Sequence, residues 1–221
     1  NVTISDYGQE TVDEYGLNVY GDADVTITNT TLRNGGTSSN RSNGDIRAVS
    51  EGGSVVFNDS VVRNGTGDEA VDIHEADAGP EVDGVIRNVT IHDTAFGGLF
   101  ASTDGSLDVR EVSITDTGSD WAANLNGEST DIANLTVDQT ADKGVSVSSF
   151  DGGTDMRDSI ISNLSDPRSS TEPGLDVDSD EGTFRNVTVT DLAGSGIEFE
   201  ETDQAIPSAD DTLSLEDSTV E

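Results

Sequence analysis

The chain has 221 residues, 32% of them hydrophobic and 5% aromatic, and its 45 acidic residues face only 10 basic ones for a formal net charge of -35. No basic stripe exists to meet a phosphate backbone or an anionic membrane surface, so nucleic acid is excluded as an expected partner. The absence of cysteine excludes disulfides, thiolate metal sites and cysteine nucleophiles, and the low apolar fraction points to a thin, elongated core.

Self-similarity organises the chain from its start. A partial copy of the repeat runs from Asn1 to Asp6, and the alternating segment Gly16-Leu17-Asn18-Val19 follows. Full copies then run Ile27 to Asn34, Phe57 to Asn64, Ile86 to Asp93, Val109 to Asp116, Ile132 to Gln139, Met156 to Asn163 and Phe184 to Asp191, with a last partial one from Leu215 to Glu221. Between them fall segments of the Gly16 type: Ala70-Val71-Asp72-Ile73, Ala123-Asn124-Leu125-Asn126, Gly144-Val145-Ser146-Val147, Gly174-Leu175-Asp176-Val177 and Gly196-Ile197-Glu198-Phe199. A polar anchor recurs at Asn1, Asn29, Asp59, Asn88, Glu111, Asn134, Asp158, Asn186 and Asp217, at spacings of 28, 30, 29, 23, 23, 24, 28 and 31 residues. A second polar column, Asp6, Asn34, Asn64, Asp93, Asp116, Gln139, Asn163 and Asp191, lies five residues after each anchor, where the strand is expected to end and the chain to turn. Asn and Asp suit such corners because they tolerate left-handed geometry. The loops at 35–43 and 166–173 are the longest insertions.

Period-2 alternation without helical periodicity predicts an all-β chain of two to three short strands per repeat. A unit of this size cannot bury its apolar side alone, so repeats must stack at about 4.8 Å, giving about eight rungs of 23–31 residues and a length of roughly 40 Å. The expected inward column is Ile4, Leu32, Val62, Ile91, Ile114, Val137, Ile161 and Val189, facing Leu17, Val71, Val145, Leu175 and Ile197. The repeat resembles the right-handed single-stranded parallel β-helix superfamily of pectate lyases, polygalacturonases and NosD-type repeat proteins over essentially its full length. The acidic balance, with nine Arg and Lys143 the sole lysine, resembles proteins of extreme halophiles. In molar salt the Debye length falls to about 3 Å and self-repulsion among surface carboxylates is screened.

The resemblance implies that any substrate lies along the outward residues of the second strand. Rung by rung these are Asn18 and Tyr20; Arg47; Asp72 and His74; Phe100; Asn124 and Asn126; Ser146 and Ser148; Asp176 and Asp178; Glu198 and Glu200. A lyase needs carboxylates for calcium and a basic side chain near a uronate, but Arg47 is five rungs from Asp176, about 24 Å at the rung spacing. A hydrolase needs clustered carboxylates with a nearby His. Asp72 and His74 share a face and are the alternative catalytic pair; His92 lies on another strand. Asp176, Asp178 and Asp180 stack beside Glu198 and Glu200, the candidate calcium ligands; no cofactor is otherwise required. Arg87, Arg110, Arg157 and Arg185 form a column of their own, expected to pair with neighbouring carboxylates. Trp121, Tyr20, Phe96 and Phe100 are the aromatics available for sugar stacking, with Trp121 expected as a loop packing residue.

Nine Asn-x-Ser/Thr sequons occur, at Asn1, Asn29, Asn40, Asn58, Asn64, Asn88, Asn134, Asn163 and Asn186, and mark candidate glycosylation sites on an extracellular surface. The repeat itself also calls for Asn, a small residue and Ser/Thr. No signal peptide, initiator Met or apolar run of 18 residues is present, so this segment is not expected to enter a membrane directly. The chain opens in mid-pattern and is expected to be one domain, residues 1–221, of a longer protein. These features lead to a non-catalytic structural or adhesive module, a stalk, filament subunit or adhesin, whose partners are other subunits or cell-surface glycans. The alternative is a polysaccharide lyase or glycoside hydrolase.

Overall fold

The computed structural model describes residues 2–5, 15–35, 45–75, 81–118, 120–165, 173–192, 194–200 and 212–221. All regular structure among them is β, and every strand pairing is parallel. The first sheet stacks Val2–Ser5, Thr30–Arg33, Gly53–Arg63, Val82–His92, Ser106–Thr115, Ser129–Asp138, Thr154–Leu164, Glu181–Leu192 and Thr212–Glu216 in that order. Two short strands join it at the side, Val25–Thr28 against Gly53–Arg63 and Thr219–Val220 against Glu181–Leu192. The second sheet stacks Leu17–Gly21, Ile46–Ser50, Glu69–Glu75, Gly97–Ser102, Trp121–Gly127, Lys143–Ser149, Leu175–Ser179 and Ile197–Glu200. The chain thus alternates between sheets, and each strand pairs with its equivalent one repeat away: a parallel β-solenoid.

The polar columns make the corners. All fifteen non-glycine residues with positive φ among those described fall in them, with φ between 49° and 58°. Eight are anchors from Asn29 to Asp217, and seven belong to the second column from Asn34 to Asp191. Left-handed backbone costs most L-residues about 1–2 kcal/mol, and least for Asn and Asp, which hold every position in both columns among those described except Glu111 and Gln139. The anchor is a one-residue bend inside a continuous strand such as Val82–His92, with an entry arm before it and an exit arm after it, and that strand ends at the second column as expected. Serines seal the kink on several rungs: the buried Ser159 hydroxyl accepts from Leu135 N–H at 3.2 Å and donates to the Arg157 carbonyl at 2.8 Å.

The exit-arm column is in the expected register, Ile4 on Leu32, then Val62, Ile91, Ile114, Val137, Ile161 and Val189. From Leu32 to Val189 every member is 0% exposed. Opposite stands the second-sheet column Leu17, Ile46, Val71, Leu99, Ala123, Val145, Leu175 and Ile197. A third column, Ile27, Phe57, Ile86, Val109, Ile132, Met156 and Phe184 on the entry arms, completes the core. Alternation placed Ala123 in the small slot of its rung, but Ala122 holds that slot and Ala123 points inward beside Val145. The slot is small because neighbouring rungs touch there: a Cβ on Gly144 would lie 1.9 Å from the Gly174 carbonyl oxygen.

Candidate functional site

The outward face of the second sheet carries the residues predicted for it. In register they run Asn18, Arg47, Asp72, Phe100, Asn124, Ser146, Asp176 and Glu198, with Tyr20, Val49, His74, Ser102, Asn126, Ser148, Asp178 and Glu200 two residues further along. Val49 is the exception to the outward pattern, buried at 2% exposure.

Arg47 and Asp72 are direct neighbours on adjacent rungs, as the rung order read from the sequence places them. Asp72 Oδ1 lies 2.9 Å from His74 Nδ1, and Arg47 Nη2 lies 2.8 Å from His74 Nε2. A guanidinium only donates, so Nε2 accepts and the ring proton sits on Nδ1, donated to Asp72. Arg47 Nε stands 3.6 Å from Asp72 Oδ2, and its guanidinium carbon is 5.6 Å from the centroid of the Tyr15 ring. Both imidazole nitrogens are thereby engaged. A histidine acting as general base requires one nitrogen free to meet the substrate's proton.

Glu69 opens the same strand. Burial, and then the neighbouring charges of Asp68, Asp72 and Asp120, push its carboxyl up to about 7. Sequence reasoning missed it because it precedes the alternating segment. At the corresponding outward positions the next rungs carry no charge: Phe100, Asn124, Ser146, Ser102, Asn126 and Ser148 are all half-buried. Asn126 Nδ2 donates to Asn124 Oδ1 at 3.1 Å. Trp121 is the first residue of the strand Trp121–Gly127, not a loop residue, and Lys143 Nζ lies 4.9 Å from its ring centroid.

Further along, Asp176 pairs in register with Glu198 and Asp178 with Glu200. The Oδ1 atoms of Asp178 and Asp180 are buried and have no hydrogen-bond partner. Among the described residues no group of three or more His, Asp or Glu side chains is drawn together as a metal-binding set. Phe96 lies in the bend just before Gly97–Ser102.

On the entry arms the arginines pair as expected. A ladder links Arg87 to Asp108, Asp108 to Arg110 at 2.6 Å, Arg110 to Asp131 at 2.8 Å, Asp131 to Arg157 at 2.9 Å, Arg157 to Asp155 at 3.7 Å and Asp155 to Arg185 at 3.1 Å. A shallow cleft of about 250 Å³ beside it is lined by Asp131, Asp155 and Glu181 among Ser, Thr and Gly. Two of those carboxylates already belong to the ladder.

Of the predicted glycosylation sites, Asn29, Asn64, Asn88, Asn134, Asn163 and Asn186 are exposed left-handed corners. Asn58 is half-buried on an entry arm, and Asn1 and Asn40 lie outside the described residues. Comparison with protein-family models, curated proteins and solved structures finds no match to this chain. No helix among the described residues is long and apolar enough to cross a membrane.

Proposed function

We propose that the chain is a non-catalytic structural and adhesive module of an extracellular, salt-adapted surface glycoprotein, binding neutral glycans along the second sheet. The observation that carries this reading is the closed Arg47–His74–Asp72 network beside an uncharged strip of Asn, Ser and aromatic residues in a chain of net charge -35. Amide and hydroxyl groups next to an aromatic ring match a polyhydroxylated, uncharged ligand, whereas the surrounding carboxylates repel an acidic one. We also propose that the coil is right-handed, as nearly all parallel crossovers are, and that it belongs with the pectate-lyase-like and NosD-type β-helices of haloarchaeal surfaces. No cofactor is required. Calcium is proposed only at Asp176, Asp178, Asp180, Glu198 and Glu200, where the in-register pairs Asp176–Glu198 and Asp178–Glu200 set hard oxygens on adjacent rungs.

A glycan array probed in about 3 M salt, where surface repulsion is screened, tests the reading. Binding to neutral glycans is expected to fall about tenfold in the Asn124→Ala/Asn126→Ala double variant, the worth of one or two hydrogen bonds. Binding only to acidic glycans, or unchanged binding in that variant, overturns it. Thermal midpoints are expected to climb steadily between about 0.1 M and 3 M salt as repulsion is screened; a flat profile would remove the salt-adapted reading.

A second reading, a polysaccharide lyase or glycoside hydrolase, is favoured by one observation: Arg47, Asp72 and His74 converge on adjacent rungs with Glu69 protonatable near neutrality. Polysaccharide cleavage with calcium present, lost in Asp72→Ala or His74→Ala, would establish that reading instead.

A further inference from the structure

Within the anchor column, amides and acids alternate without exception among the described residues: Asn29, Asp59, Asn88, Glu111, Asn134, Asp158, Asn186, Asp217. Flanking registers set each opposite the next; Asn58 with Arg87 and Ser60 with Val89, for example, bracket Asp59 against Asn88. Asn88 Nδ2 donates to Asp59 Oδ1 at 2.8 Å, and Asn186 Nδ2 to Asp158 Oδ1 at 2.8 Å. Alternation by itself needs no function, because carboxylates stacked at about 4.8 Å repel and an intervening amide relieves them.

The residue two places after the anchor is a different matter. It points outward on the exit arm of every rung, in one column: Thr31, Val61, Thr90, Ser113, Thr136, Ile160, Thr188 and Thr219. Rungs with an acidic anchor accept Val61 and Ile160 there, so the fold does not require a hydroxyl. Yet all four rungs with an Asn anchor carry Thr, at Thr31, Thr90, Thr136 and Thr188. Packing explains the corner and electrostatics explains the alternation, but neither explains why hydroxyl and amide occur together.

We infer that Asn29, Asn88, Asn134 and Asn186 form a straight row of N-glycan attachment sites, one on every second rung. The inference rests on the extracellular glycoprotein reading above and deepens it by placing the glycans. Attachment forms a bond from Nδ2 to the anomeric carbon of a phosphate-activated glycosyl donor. The carbon–oxygen bond to the carrier phosphate breaks, the carrier leaves with that electron pair, and one Nδ2 proton passes to the transferase's base. One N–H remains on each Asn, enough at Asn88 and Asn186 to keep the bond to Asp59 and Asp158. Two rungs separate successive sites by about 9.6 Å, and the acid between them holds the intervening position clear. The row lines one corner of the first sheet, away from the outward face of the second, so glycans sheathe one edge and leave the proposed binding strip open.

Glycopeptide mass spectrometry on the chain isolated from its producing cells tests this. Glycan adducts are expected at Asn29, Asn88, Asn134 and Asn186. Adducts confined to Asn58, Asn64 or Asn163 would overturn the row and leave the glycoprotein reading intact, while a chain with no adduct would overturn both. Thr90→Val should abolish modification at Asn88 alone, with the thermal midpoint of the deglycosylated chain unchanged, since Val61 already occupies the equivalent position. Persistence of the Asn88 glycan in that variant would show that Thr90 does not specify the site.

Discussion

Truncating Ile161 to alanine should lower the unfolding free energy by about 2–5 kcal/mol, while the same change at Ile160 should stay within about 0.5 kcal/mol. The two residues are adjacent in sequence and opposite in fate. Ile161 is 0% exposed in the exit-arm column between Val137 and Val189, whereas Ile160 is 47% exposed between Thr136 and Thr188. In a solenoid, the rungs above and below cannot collapse into the gap without breaking their own ladder bonds, so the cavity at Ile161 persists. Denaturant unfolding at one fixed high salt concentration reads the difference as a shift in midpoint. A large loss at Ile160 with a small one at Ile161 would mean that the two faces of the exit arm are exchanged, and the register with them.

That contrast depends on features legible in the sequence. Alternation and the spacing of the anchors identify the exit-arm core residue by residue, because a left-handed corner selects Asn or Asp on every described rung but the one anchored by Glu111 and marks the start of each arm. The Arg87–Arg185 ladder was legible for the same reason: the arginines hold a constant offset from the anchor. Legibility failed where residue type stopped discriminating. Ala122 and Ala123 are both small, so the slot slipped by one, and Trp121 looked like loop because no glycine announces its strand. The site was legible in part: the rung order already sets Arg47 beside Asp72 and His74, and the ladder keeps that register. The closure of His74 on both sides is a fact of distances, which no pattern of residue types contains.

Glu69 makes that site measurable through pH. Its carboxyl is raised from 4.5 to about 7, first by burial and then by Asp68, Asp72 and Asp120. Between those values the folded chain holds a proton that the unfolded chain has released, so stability falls as pH rises through the window and levels off above it. The full shift corresponds to about 3 kcal/mol; solvent screening at a partly exposed position reduces the expected effect to about 1–2 kcal/mol. Glu69→Gln, which keeps the shape and removes the titration, should therefore be more stable than the parent by about that amount above pH 7 and nearly equal to it near pH 4.5. The other carboxylates titrate in both chains, so the difference between the two profiles isolates Glu69. Parallel profiles would mean that Glu69 ionises as it does in the unfolded chain and that the rungs carrying Asp72 and Asp120 do not crowd it. A converging pair would establish a carboxyl that stays protonated near neutrality beside Asp72. The glycan strip does not need such a group, but a hydrolase would need one as its acid. Cleavage assays on the same Glu69→Gln chain then separate the two readings: a loss of turnover that follows the stability window points to chemistry, and glycan binding indifferent to it points to adhesion.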